Sequence, residues 1–334
     1  MLAVVMHEFG PPSVLVPEEV PDPVPGPQHV MIDVDVANIT FVETQVRAGR
    51  PPNPAMLPSL PAILGNGVGG VVVAVGDAVD PGLVGRRVVA SLGGTGGYAE
   101  RAVADSAALI EIPDELGMRE AVALLADGRT ALMLMRVAAV QAGETVLVEA
   151  AAGGVGSLLV QLASGAGARV VGAAGGQPKL GLVRELGASV VVDYTEPGWA
   201  DRLASEVRSV DVVFDGVGGG IGRAAFGLLR NGGRFCAFGM ASGSFADVTD
   251  EQAEARQVRL IRGGRLTPQE LRELARGALA EAVAGRLHPL IGQTFRLERA
   301  ADAHGTIERR ATVGKTLLVV GAGKPGASQA AARS

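Results

Sequence analysis

The stretch LVEAAAGGVGSLLVQLA, residues 147–163, decides the fold. It opens on an apolar run, turns through Ala150–Gly156 and continues as an apolar helical pattern. Ala151, Gly153 and Gly156 fill the three special positions of a G-x-G-x-x-G turn, with Ala in place of the first Gly. In such a turn Gly153 lets the backbone approach a pyrophosphate, and Gly156 lets helix and strand pack closely. The helix N-terminus adds free N–H groups and a positive dipole end for the anion. An empty strand–turn–helix would carry a similar pattern, so the surrounding sequence has to arbitrate.

Downstream, strand-like and helical segments alternate. Strands are expected at Thr145–Glu149, Arg169–Ala173, Ser189–Val192, Asp211–Phe214 and Gly233–Phe238, with a sixth near 258–263. Helical patterns fall at 119–126, 129–141, from Gly154, then at 178–186, 198–208, 221–230, 268–285 and 298–309, and a last strand at Thr316–Val320. This rhythm predicts an α/β fold with a doubly wound parallel sheet. Upstream, Val30, Ile32, Val34 and Val36 recur with period 2, the mark of a half-buried strand. Short strands are expected at Val71–Val75, Arg87–Ala90, Tyr98–Val103 and Ala108–Ile112, separated by Gly and Pro. That part reads as an irregular β-barrel, with residues 51–61 as an ordered loop.

Composition narrows the function. The chain has 334 residues, enough for two domains, and a formal net charge of −5 with mixed signs. No basic block suggests nucleic acid, and no apolar run is long enough to span a bilayer. The first ten residues lack the basic flank of a signal peptide. Cys236 is the one cysteine, so no intramolecular disulfide forms, which fits the reducing cytoplasm. The four histidines are far apart in sequence, and no zinc-ligand spacing exists, so no metal is expected.

The second strand points to the cofactor. An NAD site places an acid about 20 residues past the glycines, to bind the ribose 2′-hydroxyl. Here that place reads Ala173-Ala174-Gly175-Gly176, and Lys179 follows. A missing acid and a nearby cation favour NADP(H).

These segments resemble the zinc-independent quinone oxidoreductases of the medium-chain dehydrogenase/reductase superfamily, over almost the whole chain. The matching pieces are AAAGGVG at 150–156, GGYAE at 96–100, GRTAL at 128–132, FDGVGG at 214–219, GGRFCAFG at 232–239 and AADAHGTIERRATVGKTLL at 300–318. The resemblance implies a GroES-like barrel, residues 1–122 and 267–322, and a Rossmann domain, residues 123–266; the small, polar composition of 323–334 makes a disordered tail the expectation there. It implies that Ala152, Gly153, Gly154 and Val155 meet the pyrophosphate, with Gly156 in the same cofactor-binding turn, Lys179 the 2′-phosphate and Tyr194 the adenosine end. Thr130, Val217, Phe238 and Gly239 would line the nicotinamide side, and Arg310 would reach the cofactor from the C-terminal segment.

The chain departs from the family pattern G-V-N-x-x-D-x-Y-x-R-x-G. Thr40 replaces the Asn beside the nicotinamide and Gln45 the Tyr that faces substrate. Both are the candidate catalytic contacts, with water expected to deliver the proton. The expected activity is NADPH-dependent hydride transfer to a quinone or other conjugated carbonyl acceptor. A 2-enoyl thioester or enone reductase and a non-catalytic NADPH-binding protein are the alternatives. A homodimer through residues 258–262 is expected, because that sheet edge has unpaired backbone groups.

Overall fold

The computed structural model describes residues 1–263 and 266–320, and the chain divides into two compact units. The expected tail, 323–334, lies outside the described residues. Unit 1 comprises Met1–Glu111, Thr294–Arg310 and the segment from Thr316; unit 2 comprises Ile112–Gln293 and Ala311–Lys315.

Unit 1 opens with β1 (Leu2–Met6), β2 (Val16–Glu19), β3 (His29–Ile39), α1 (Phe41–Arg47), β4 (Ala62–Ile63), β5 (Gly67–Val75), β6 (Arg87–Ser91), β7 (Arg101–Asp105) and β8 (Leu109–Glu111). β3 is its spine. It pairs antiparallel with β5 and β7, and its register shifts between Val34 and Val36 bend it. Val30, Ile32, Val34 and Val36 are all buried, as the period-2 pattern predicts. Val30, Ile32 and Val34 pack with Val4, Val68, Tyr98, Leu297 and Leu318 in one core. The strand expected at Tyr98–Val103 begins only at Arg101, because the first residues bond elsewhere: Tyr98 C=O accepts from Val4 N–H at 2.8 Å, and Ala99 bridges to Ala3.

Unit 2 runs α2 (Met118–Ala138), β9 (Thr145–Val148), α3 (Gly154–Gly165), β10 (Arg169–Ala174), α4 (Gln177–Glu185), β11 (Val190–Asp193), α5 (Trp199–Val207), β12 (Val210–Asp215), α6 (Gly219–Leu228), β13 (Leu229–Ala237), α7 (Asp250–Ala255), β14 (Arg259–Arg262) and α8 (Pro268–Val283). The six strands form a parallel sheet in the order β11-β10-β9-β12-β13-β14, the doubly wound arrangement the alternation predicts. Its central strands are apolar on both faces because helices cover both. Leu147, Val171, Val213, Phe226 and Phe235 share a core with Trp199 and Leu203.

Two expectations shift. The helical patterns at 119–126 and 129–141 are one helix, α2, which passes through Gly128 and ends at Ala138. A Cβ added at Gly128 would stand 2.6 Å from the Ala278 methyl, so α2 and α8 approach too closely for a side chain there. That packing also carries α8 into unit 2, beyond the expected 123–266 boundary. After α8, β15 (Ile291–Arg296), α9 (Ala300–Glu308) and β16 (Lys315–Val319) follow. β16 pairs antiparallel with β3, completing the sheet order β15-β16-β3-β5-β6-β8.

Candidate functional site

In unit 2 the candidate cofactor residues collect at the C-terminal ends of the parallel strands, where ligands bind in open α/β sheets. β9 ends at Val148, and Ala150 turns the chain with φ +47°. Gly153 N–H donates to Ala150 C=O at 2.7 Å, and α3 starts at Gly154. The N–H groups of Gly154, Val155 and Gly156 lie in the first helical turn, where no intrahelical acceptor exists. A Cβ at Gly156 would stand 2.2 Å from the Ala150 carbonyl oxygen, so helix and strand touch there as the motif requires. Ala152 C=O accepts from Gly314 N–H at 2.7 Å, which braces the turn from the chain's C-terminal segment.

β10 ends in the acid-free Ala173-Ala174 pair. Gly176 N–H donates to both carboxylate oxygens of Asp193 at 3.1 Å. Asp193 also accepts from the Thr195 N–H at 2.9 Å and the Thr195 hydroxyl at 2.6 Å. Burial raises the acid's pKa, but the Thr195 and Gly176 donors win and hold the carboxyl below its ordinary range. Asp193 is thus a structural acid committed to its own loop. Lys179 sits in the first turn of α4, half-buried. Tyr194 follows β11, with its ring 3.1 Å from where a Gly175 Cβ would project. Val217, after β12, is buried, and Phe238 and Gly239 follow β13, their N–H groups donating to Asp215 C=O at 3.0 and 3.1 Å. Thr130, within α2, donates its hydroxyl to Ala126 C=O at 2.8 Å.

Unit 1 carries Thr40, Gln45 and Arg310. Thr40 caps α1; its N–H and hydroxyl both donate to Glu43 Oε2, at 2.6 and 3.1 Å. Glu43 Oε1 accepts from Asn66 N–H at 2.7 Å, and the Tyr98 hydroxyl donates to Oε2 at 3.4 Å. That hydroxyl lies 3.0 Å from His304 Nε2. Burial, then the charge and hydrogen bond of Glu43, push the Tyr98 phenol well up. Burial, aided by the Arg47 charge, pulls His304 down to about 3, so its ring is neutral. Gln45 is buried, with its amide donating to Thr44 Oγ1 at 3.1 Å. Arg310 lies just after α9, exposed, at φ +55°.

Sequence reasoning overlooked three acids in unit 2. Glu149 and Asp215 are fully buried at the ends of β9 and β12, and Asp127 pairs with Lys315 at 2.9 Å. Glu149 and Asp215 were visible as acids beside glycine turns; Asp127 and Lys315 are 188 positions apart, beyond any local pattern.

A GroES-like alcohol dehydrogenase domain model matches residues 26–114, and a zinc-binding dehydrogenase model matches 154–279. The pig quinone oxidoreductase is 31% identical over 325 residues, covering 96% of this chain and 98% of that protein. The chain belongs to the quinone oxidoreductase family of the medium-chain dehydrogenases/reductases. A Burkholderia 2-haloacrylate reductase is similar too, 32% identical over 331 residues with 96% of this chain and 99% of the relative covered. The Escherichia coli quinone oxidoreductase solved with NADPH superposes with a TM-score of 0.88 at 28% identity, covering 96% of this chain and all of that one.

Zinc, which the second family description names, is not a group these residues fit. Among the described residues no three His, Cys, Asp or Glu side chains cluster as ligands. Cys236 is buried in β13, and burial pushes its thiol up to about 12 against the pull of Arg259 and Arg234. No helix among the described residues is long and apolar enough to cross a membrane.

Proposed function

We propose that this oxidoreductase binds NADPH along the C-terminal edge of the unit 2 sheet and reduces a quinone or another conjugated carbonyl compound. The observation that carries the cofactor reading is the turn at Ala150–Gly156, whose donors open α3 beside a β10 end that bears no acid. NADPH, when bound there, supplies the hydride. Gly154, Val155 and Gly156 N–H groups hold the pyrophosphate, Lys179 pairs with the 2′-phosphate, and Tyr194 flanks the adenosine. Thr130, Val217, Phe238 and Gly239 border the nicotinamide, and Arg310 is a further proposed cofactor contact.

Thr40 and Gln45 are the proposed polar contacts for the acceptor. Thr40 is preorganised by Glu43, which fixes its backbone and takes its hydroxyl proton, so its lone pairs accept from the water that serves the acceptor rather than from the carbonyl oxygen itself. Neither tyrosine is the proton donor: Tyr98 is buried against Glu43 and His304, and Tyr194 stands against Gly175. Water delivers the proton to the reduced oxygen, without zinc. The relatives' names support an electron-poor conjugated acceptor, since a quinone and a 2-haloacrylate both have one.

The test is nicotinamide-fluorescence titration with NADPH and NADH, followed by NADPH oxidation with a quinone, a 2-haloacrylate and a 2-enoyl thioester. Binding without turnover of any acceptor would refute the enzymatic reading. Lys179→Ala should weaken NADPH by about 1.5 kcal/mol, the low end for a charge-assisted bond, because Gly175 and Gly176 offer no hydroxyl donors beside it. NADH affinity should not change; an equal loss for both cofactors would remove Lys179 from the 2′-phosphate.

β14 is the outer strand of the six-stranded sheet, and we propose that it pairs with a second copy. Leu260→Pro removes a ladder donor there. Sedimentation equilibrium should show a dimer for the parent chain and a monomer for the variant; a monomeric parent would end the proposal.

A further inference from the structure

Two carboxyl groups stand side by side at the C-terminal edge of the parallel sheet, and hydride transfer uses neither. Glu149 precedes Ala150, where the glycine turn begins; Asp215 ends β12 and precedes Gly216. Val148 and Phe214 are register partners on neighbouring parallel strands, and Glu149 N–H donates to Phe214 C=O at 3.0 Å. The next residue of each strand, Glu149 and Asp215, therefore projects to the same face.

Both side chains are fully buried. Asp215 Oδ1 accepts from Val217 N–H at 3.0 Å and Gly218 N–H at 2.6 Å, which sets the turn that opens α6. Its Oδ2 lies over Gly222, where an added Cβ would stand 2.5 Å away. That oxygen and both carboxyl oxygens of Glu149 are buried without a hydrogen-bond partner among the described residues. Two adjacent carboxylates in a dry site repel strongly, and one proton removes the conflict. Asp215 already receives two N–H donors, so it is the carboxylate and Glu149 the acid. Burial, then the hydrogen bond and charge of Asp215, push the Glu149 carboxyl well above the ordinary range; only the Val217 N–H acts the other way. On the other flank β10 offers Ala173 and Ala174, which carry no charge.

We propose that Glu149 is kept as a neutral acid that donates its proton to Asp215, so that one acid–carboxylate hydrogen bond clasps the turn at 150–156 to the turn at 216–219 and makes cofactor affinity depend on that proton. The pair are positioning residues. The affinity part rests on the proposal that NADPH lies along these turns; the clasp itself does not.

The folded state keeps the Glu149 proton at pH values where the unfolded chain has released it. Stability therefore falls as pH rises above the ordinary carboxylate range, until the folded pair ionises too. Glu149→Gln keeps a donor to Asp215 but cannot titrate, whereas Glu149→Leu removes the donor.

The experiment compares the full-length parent, Glu149→Gln and Glu149→Leu by infrared spectroscopy, by melting temperature against pH and by NADPH titration against pH. The parent should show the C=O band of a buried protonated carboxyl at neutral pH, absent from Glu149→Gln. Its melting temperature should fall toward alkaline pH more steeply than that of the variant. Its NADPH affinity should fall, by up to about tenfold per pH unit once the pair ionises, while Glu149→Gln stays flat and Glu149→Leu binds weakly throughout. A band that survives in Glu149→Gln, coincident pH profiles, or Glu149→Leu binding as tightly as Glu149→Gln would overturn the clasp. A parent that shows the band and the melting slope but binds no NADPH at any pH would instead overturn the cofactor reading.

Discussion

Gly156→Ala should abolish tight NADPH binding and destabilise unit 2 together. The new methyl would lie 2.2 Å from the Ala150 carbonyl oxygen and 2.8 Å from its carbon, both backbone atoms that no rotamer change can move aside. The helix must therefore shift from the strand, and overpacking of this kind costs about 1–3 kcal/mol. The same shift carries the first-turn N–H groups of α3 away from where they meet a phosphate. Losing one hydrogen bond to a charged group costs about 1.5–3 kcal/mol, so NADPH should bind about tenfold to a hundredfold more weakly. Gly165 supplies the control: it closes the same helix, and a Cβ there meets nothing within 4 Å. Gly165→Ala should leave affinity intact and gain up to about 1 kcal/mol of stability, since Ala loses less backbone entropy. Fluorescence titration and urea unfolding of both variants decide the matter. Unchanged NADPH affinity in Gly156→Ala would show that the cofactor does not use this turn.

The contrast between these two glycines shows what a sequence can express. The role of Gly156 follows from its spacing after an apolar run, because strand, turn and helix are contiguous and their contacts local. The whole parallel sheet was legible for the same reason: each strand lies between two helical patterns. Gly128 was not legible as a mid-helix residue. A glycine inside a helix costs about 1 kcal/mol relative to Ala, and what requires it here is the close approach of Ala278 on α8, far along the chain. Thr40 was singled out by its departure from a family pattern, but the acid that holds it, Glu43, was not, since capping geometry only acquires its meaning once Asn66 and Tyr98 are seen to converge on the same carboxylate. Tyr98 likewise reads as the start of a strand by alternation; its backbone instead pairs with β1, a choice made by tertiary contact rather than local propensity.

Asp127→Ala should lower the stability of the protein by about 3–5 kcal/mol, the usual cost of leaving the partner of a buried ion pair uncompensated. Lys315 and Asp127 are almost wholly buried, with side-chain exposures of 5% and 11%, and Lys315 Nζ donates to Asp127 Oδ1 at 2.9 Å. The other carboxylate oxygen packs on the backbone of Gly154, at the start of α3. Lys315 follows Gly314, whose N–H braces Ala152, so the pair supports the glycine turn from behind. Lys315→Met should cost less, because the Asp127 charge also acts on Arg129, whose guanidinium is pulled down by burial and held up by that charge. In the double variant no buried ammonium is left without a counter-charge, and a methionine fills the lysine's volume. Its stability should therefore recover part of the single-variant loss, as replacement of buried pairs by apolar groups often does, the remainder staying with Arg129, which still lacks the Asp127 charge. Urea unfolding with unchanged m values is the measurement. A loss below about 1 kcal/mol for Asp127→Ala, the range of an exposed pair, would mean that water reaches the site and that the turn does not lean on this pair.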